Sequence, residues 1–130
     1  MKMVEFSEFL QDRLDSIKSV LDSKSADYSY EDDKLFNFKL AAKVGGVTPI
    51  EALRGMQLKH KTSLRQGLDE LKEKGTLRSW DWWLEKATDD INYTILLLAL
   101  IYEKELHYEK EKEKEKEQDH ECGPGCLCSH

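Results

Sequence analysis

The chain has 130 residues, 35% of them charged and 39% hydrophobic, which suits one domain with a modest core. Its net charge of -6 is unevenly spread: residues 103 to 121 are almost wholly Glu and Lys, while residues 54 to 65 carry Arg54, Lys59, Lys61 and Arg65 against no acid. This excludes the broad basic surface that duplex DNA calls for and suits an anionic ligand bound through a divalent cation.

Phe6, Leu10, Leu14, Ile17 and Leu21 recur at helical spacing and predict an amphipathic helix over residues 4 to 23. The polar, acidic stretch from Lys24 to Asp33 then reads as a loop. Leu35 to Lys43 gives a short second helix, stopped by Gly45-Gly46. Thr48-Pro49-Ile50-Glu51 is a helix start, with Thr48 as cap, Pro49 in the first turn and Glu51 closing a capping box. The stripe Leu53, Met56, His60 and Leu64 carries this third helix to about Arg65 or Gly67. Gly75 marks a break, and Ser79 can cap a long last helix with apolar positions Trp83, Ala87, Ile91, Ile95, Leu98 and Tyr102.

No alternating strand pattern appears, so the expected fold is all-α. Three longer helices and one short one imply a small bundle, dimeric or higher, completed by a second copy of the chain. The domain is expected over residues 1 to 107, followed by a charged extension (108 to 121) and a cysteine-containing tail (122 to 130). The Glu-Lys run either extends the last helix through opposite charges three apart or stays solvated. Trp80-Asp-Trp82-Trp83 reads as a core edge, an oligomer contact or a stacking platform.

Several observations bear on location. Met1-Lys-Met-Val-Glu-Phe6 places charge where a signal peptide needs an apolar run, and the apolar stretch near residue 95 is too short to span a membrane. All three cysteines lie in the last nine residues, so no disulfide is expected to staple the core. A cytoplasmic protein without membrane contact is the expectation.

Candidate chemistry centres on Glu85, Asp89 and Asn92, which stand at i, i+4 and i+7 and share one helix face. The run Ile95 to Ile101 after them is apolar all round, as in a helix buried by neighbours. Acids pressed against a core are costly unless paired or holding a metal. They therefore read either as a magnesium site shared with phosphate oxygens or as first-turn acids complementing the helix dipole, with Asp90 facing water. His60 is a hydrogen-bonded core histidine or the partner of a carboxylate on the last helix. Lys59, Lys61 and Arg65 are solvated surface or phosphate contacts. In the tail, His120, Cys122, Cys126, Cys128 and His130 offer soft ligands around Gly123-Pro124-Gly125. Cys122, Cys126 and Cys128 are thus either zinc ligands or reactive thiols in a tail whose spacing fits no common two-knuckle pattern.

Lys24-x-x-Asp27-Tyr28, Asn37-Phe38, Gly46-Val-Thr-Pro49, Lys59-His60 and Asp89-x-x-Asn92-Tyr93, in that order, resemble a group of phage-type proteins called nucleotide modification associated domain 1. That group is related to the MazG-like all-α nucleoside triphosphate pyrophosphohydrolases, and the similarity covers roughly residues 5 to 102. The resemblance implies a helical, often dimeric protein that binds a (deoxy)nucleoside triphosphate through magnesium and releases pyrophosphate. Carried onto this chain, it makes Glu85 and Asp89 the magnesium ligands and lets Asn92 orient ligand or metal. Lys24, Lys59 and Lys61 become phosphate contacts, Asn37 a further ligand contact, and Asp27 or His60 catalytic assistants. One departure stands out: such enzymes supply a second Glu-x-x-Glu pair, and here Glu5-x-x-Glu8 has the spacing but is distant in sequence from Lys24 and Asp27. A non-catalytic phage accessory protein that binds a host protein or nucleotide signal is the alternative. A third reading is an oligomerisation module whose acids pair with Lys59 or Arg65.

Overall fold

The computed structural model describes residues 1–28 and 33–125, with side chains at 1–23 and 33–117. Four helices account for it: α1 (Met3–Tyr28), α2 (Phe36–Gly45), α3 (Pro49–Lys74) and α4 (Trp80–Gly125). The fold is all-α, with no strand among the described residues. The chain divides into two compact units, one ending at Leu97 and the next beginning at Leu98, so the division falls inside α4.

Helix starts follow the expected chemistry closely. The Thr48 hydroxyl accepts from the Glu51 backbone N–H at 3.1 Å and donates to the Glu51 carboxylate at 3.0 Å, with Pro49 in the first turn of α3. Ser79 accepts from the Trp82 N–H at 3.2 Å and caps α4. Ahead of α2, the Leu35 N–H donates to Asp33 Oδ1 at 2.9 Å, and Lys39 pairs with the other Asp33 oxygen at 2.7 Å. That pair holds the Asp33 carboxyl below its ordinary range, first through the Lys39 hydrogen bond.

Helix ends depart further from the sequence pattern. α1 continues through Tyr28, into the stretch expected as loop, because Ser25, Ala26 and Asp27 include neither glycine nor proline to stop it. α3 passes Gly67 and ends only at Gly75, which adopts a left-handed φ of 68°; its N–H donates to the Leu71 carbonyl at 3.1 Å, and the Thr76 N–H donates to the Glu70 carbonyl at 3.4 Å. Gly67 is retained in the helix for a packing reason. A Cβ placed there would lie 2.6 Å from the Trp82 ring and 3.0 Å from the Trp83 ring. The absent side chain admits both indoles, which meet edge to face at 4.8 Å. Trp83 Nε1 donates to the Arg78 carbonyl at 3.1 Å, and the Arg78 guanidinium lies 4.5 Å over the Trp82 ring while forking onto Glu70. The Trp80-Trp83 segment is thus the edge of a core, with Trp80 itself mostly exposed against Phe9.

The core of the first unit is small: Leu35, Phe38, Ala42 and Leu53 are buried, and α2 packs closely on α3. Two apolar faces expected to be covered are open. Phe6, Leu10 and Leu14 of α1 are about half exposed, and Ile95, Leu98 and Ile101 of α4 are 40%, 60% and 41% exposed. The run from Ile95 therefore lacks the all-round cover expected of it, because an apolar run specifies no partner to enclose it. The Glu-Lys run continues α4 as helix, with His107 and Glu111 paired at 3.1 Å one turn apart.

Candidate functional site

The buried line of α3 runs through Leu53, Gln57 and Gly67, with His60 and Leu64 half-buried between them. Met56, expected on this line, is instead exposed. A shift of one residue puts Gln57 against α4, where its amide has acceptors to satisfy. Gln57 Nε2 lies 3.0 Å from Asp90 Oδ1, 2.9 Å from Thr94 Oγ1 and 3.3 Å from the Asp90 carbonyl. Thr94 Oγ1 in turn donates to the Asp90 carbonyl at 3.1 Å. Lys61 Nζ approaches both Asp90 carboxylate oxygens at 3.3 Å. Asp90 is therefore a bonded, half-buried residue joining α3 to α4, and the expectation that it faces water is corrected.

At the residue just before Asp90 on α4, the chemistry changes. Asp89 Oδ2 stands 3.6 Å from His60 Nδ1, with the two side chains only 12% and 19% exposed. Tyr93 stacks on the His60 ring at 5.1 Å between centroids, and Phe38 meets Tyr93 edge-on at 6.4 Å. The histidine is thus both a partner of a carboxylate and part of an aromatic column that roots it in the α2–α3 core. The Tyr93 face is taken up by His60, so its first role is to hold that imidazole.

Asn92 completes this stretch and is 6% exposed. Neither its Oδ1 nor its Nδ2 has a hydrogen-bond partner among the described residues. A buried amide left in this condition is costly, about 1–3 kcal/mol for each orphaned group. Glu85 differs in environment: it is exposed and carries no ion pair or hydrogen bond among the described residues. The shared face of Glu85, Asp89 and Asn92 therefore grades from open carboxylate to enclosed amide.

The remaining candidates scatter. Lys59 is exposed on α3, with its ammonium unpaired among the described residues, and Lys61 is committed to Asp90 rather than free for a ligand. Arg65 pairs with Asp69 on its own helix at 3.0 Å, and so is not a partner of the α4 acids. Asn37 is half-buried at the start of α2. Lys24 and Asp27 belong to α1 by backbone, but their side chains lie outside the described residues, as do that of Cys122 and all of Cys126 and Cys128.

Among the described residues no group of three or more His, Cys, Asp or Glu is placed to hold a metal. The donors that do exist, Glu85 and Asp89 one turn apart with His60 beside Asp89, fit part of a shell for a hard cation. Magnesium keeps several waters and commonly takes only one or two carboxylates together with substrate phosphates, so a half-shell is chemically coherent. Gln57 and Thr94 escape a reading of the sequence. The available signal is the i, i+4 series Leu53, Gln57, Lys61, which tracks α4 better than the series through Met56. No family model, curated protein or solved structure matches the chain.

Proposed function

We propose that the protein binds a (deoxy)nucleoside triphosphate with magnesium and hydrolyses it to release pyrophosphate, in a nucleotide-pool or nucleotide-modification role like that of the MazG-related group it resembles. The observation that supports this reading is the enclosed Asp89–His60 pair, rooted by Tyr93, with His60 flanked along its own helix by Lys59 and Lys61. Glu85 and Asp89 would hold the metal, which supplies charge neutralisation at the phosphates. Lys59 meets phosphate oxygens. His60, steadied by Asp89 and Tyr93, takes a proton from water as its oxygen bonds to phosphorus and the bond to the departing pyrophosphate breaks. Asp27 and Lys24 would act from the end of α1.

The test is incubation of purified protein with each (d)NTP and magnesium, followed by assay for pyrophosphate. Turnover that survives Glu85→Gln and Asp89→Asn together would remove this site from the reaction. A second reading, a binder without turnover, is favoured because no group of three or more His, Cys, Asp or Glu among the described residues is placed to hold a metal. Calorimetric binding of nucleotide without pyrophosphate release would select it.

In both readings the protein works as a homo-oligomer in the cytoplasm. The open stripe of Phe6, Leu10 and Leu14 supports the self-association, since exposed apolar stripes of this kind are typical contact surfaces. Among the described residues no helix is long and apolar enough to cross a membrane. Light scattering should give a mass of two or more chains, and Leu10→Glu with Leu14→Glu should return it to one.

A further inference from the structure

Asn92 is the most enclosed polar side chain beside the Asp89–His60 pair, and both ends of its amide are unpaired. The two orphaned atoms narrow what could satisfy them. A metal ion would use Oδ1 alone and leave the Nδ2 donors stranded in a buried place. A phosphate oxygen would use Nδ2 alone and strand Oδ1. A planar partner with a donor next to an acceptor satisfies both at once, and every nucleobase offers such an edge, as in the pairing of asparagine with adenine.

Position along α4 agrees with this division of labour. Seven residues separate Glu85 from Asn92, or about 10 Å of helix axis, whereas magnesium holds its ligands at about 2.1 Å. An ion shared by Glu85 and Asp89 therefore sits toward the other end of this face, and Asn92 could join it only by leaving its Nδ2 donors stranded. The exposure gradient runs the same way, from open Glu85 through Asp89 to enclosed Asn92. Charged phosphates belong at the wet end and an uncharged base at the dry end.

We propose that Asn92 is the specificity-determining residue of this site, reading the hydrogen-bonding edge of the nucleobase through both atoms of its amide. This rests on the nucleotide-binding reading above. Burial fixes the amide and removes competing water, so a base with the wrong donor–acceptor order leaves a buried group unpaired. Discrimination by an interaction of this type is about 10- to 100-fold.

Calorimetry on the full chain with magnesium tests it, using dATP, dGTP, dCTP, dTTP and base-free tripolyphosphate as probes. The wild type should bind one or two of the nucleotides about tenfold or more tightly than the rest. Asn92→Asp keeps the oxygen and loses the donor, so it should abolish or redirect that preference while tripolyphosphate affinity stays within about twofold. Asn92→Leu serves where the aspartate variant fails to fold, since an apolar side chain of similar size removes the orphaned groups. It should raise Tm by several degrees and level the affinities for the four nucleotides.

Five outcomes overturn the proposal. Equal loss of tripolyphosphate and nucleotide binding in the variants would make Asn92 a metal or phosphate ligand. Base preference that survives both variants would remove it from recognition. A fall in Tm for Asn92→Leu with preference intact would make it a structural residue. Wild-type protein that binds tripolyphosphate and all four nucleotides equally would end the inference yet leave the nucleotide reading standing, whereas protein that binds none of the five probes ends both.

Discussion

Asp90 and Asn92 lie two residues apart on the same helix, are both polar, and are treated in opposite ways. Asp90 accepts from Gln57 and Lys61 across the α3–α4 contact and leaves its carbonyl shared with Gln57 and Thr94. Asn92 is more deeply buried, and its amide pairs with nothing among the described residues. A polar group whose partners are supplied by the chain is part of how the fold holds together. One whose partners are missing is stabilised only when something else arrives, and the cost until then lowers the stability of the free protein.

The contrast can be broken from either side. The largest effect is expected from Gln57→Ala, which removes the donor shared by Asp90 and Thr94 across the α3–α4 contact and opens space at a buried position. Denaturant unfolding should show a loss of about 2–4 kcal/mol. Asn92→Leu should go the other way and gain about 1–2 kcal/mol, since it removes two unpaired groups without removing a bond. If both substitutions destabilise alike, the distinction between the two positions collapses.

Lys61→Ala should matter less. The lysine side chain is 55% exposed, and ion pairs of this kind contribute at most about 1 kcal/mol, less in salt. A loss that vanishes at high ionic strength would show that Asp90 is held mainly by Gln57. The smallest effect concerns acid. The Asp33 carboxyl is held below its ordinary value by Lys39, so the stability it adds is complete above that ordinary value and fades as pH falls through the lowered one. Asp33→Asn should therefore be less stable than wild type near neutrality, with the gap closing in strongly acidic buffer. A gap that stays constant to the lowest pH would show that the Asp33–Lys39 contact is not what sets it.

Much of the fold was legible because its signals are local. Thr48-Pro-Ile-Glu51 and Ser79 act within one helical turn, and Gly75 stops a helix by its own backbone freedom. The pairing of His60 with a carboxylate of the last helix was also open to view, as a histidine on an apolar stripe facing an acidic helix mouth. The readings that failed depend on what lies opposite. Gly67 looks like a stop until Trp82 and Trp83 are known to fill the space beside it. Met56 and Gln57 are adjacent, and only the facing Asp90 and Thr94 decide that the polar one turns inward. Ile95 and Leu98 look buried from their sequence neighbours, yet their cover was never encoded in the spacing.

The sequence by itself determined four helices, the capped starts of α3 and α4 and the grouping of Glu85, Asp89 and Asn92 on one face, because helical periodicity and capping are short-range. Tertiary structure alone decided which of those polar residues are paired and which are left wanting. Hydrogen-bond satisfaction depends on groups more than 30 positions away, such as Gln57 for Asp90, and no local pattern carries that information.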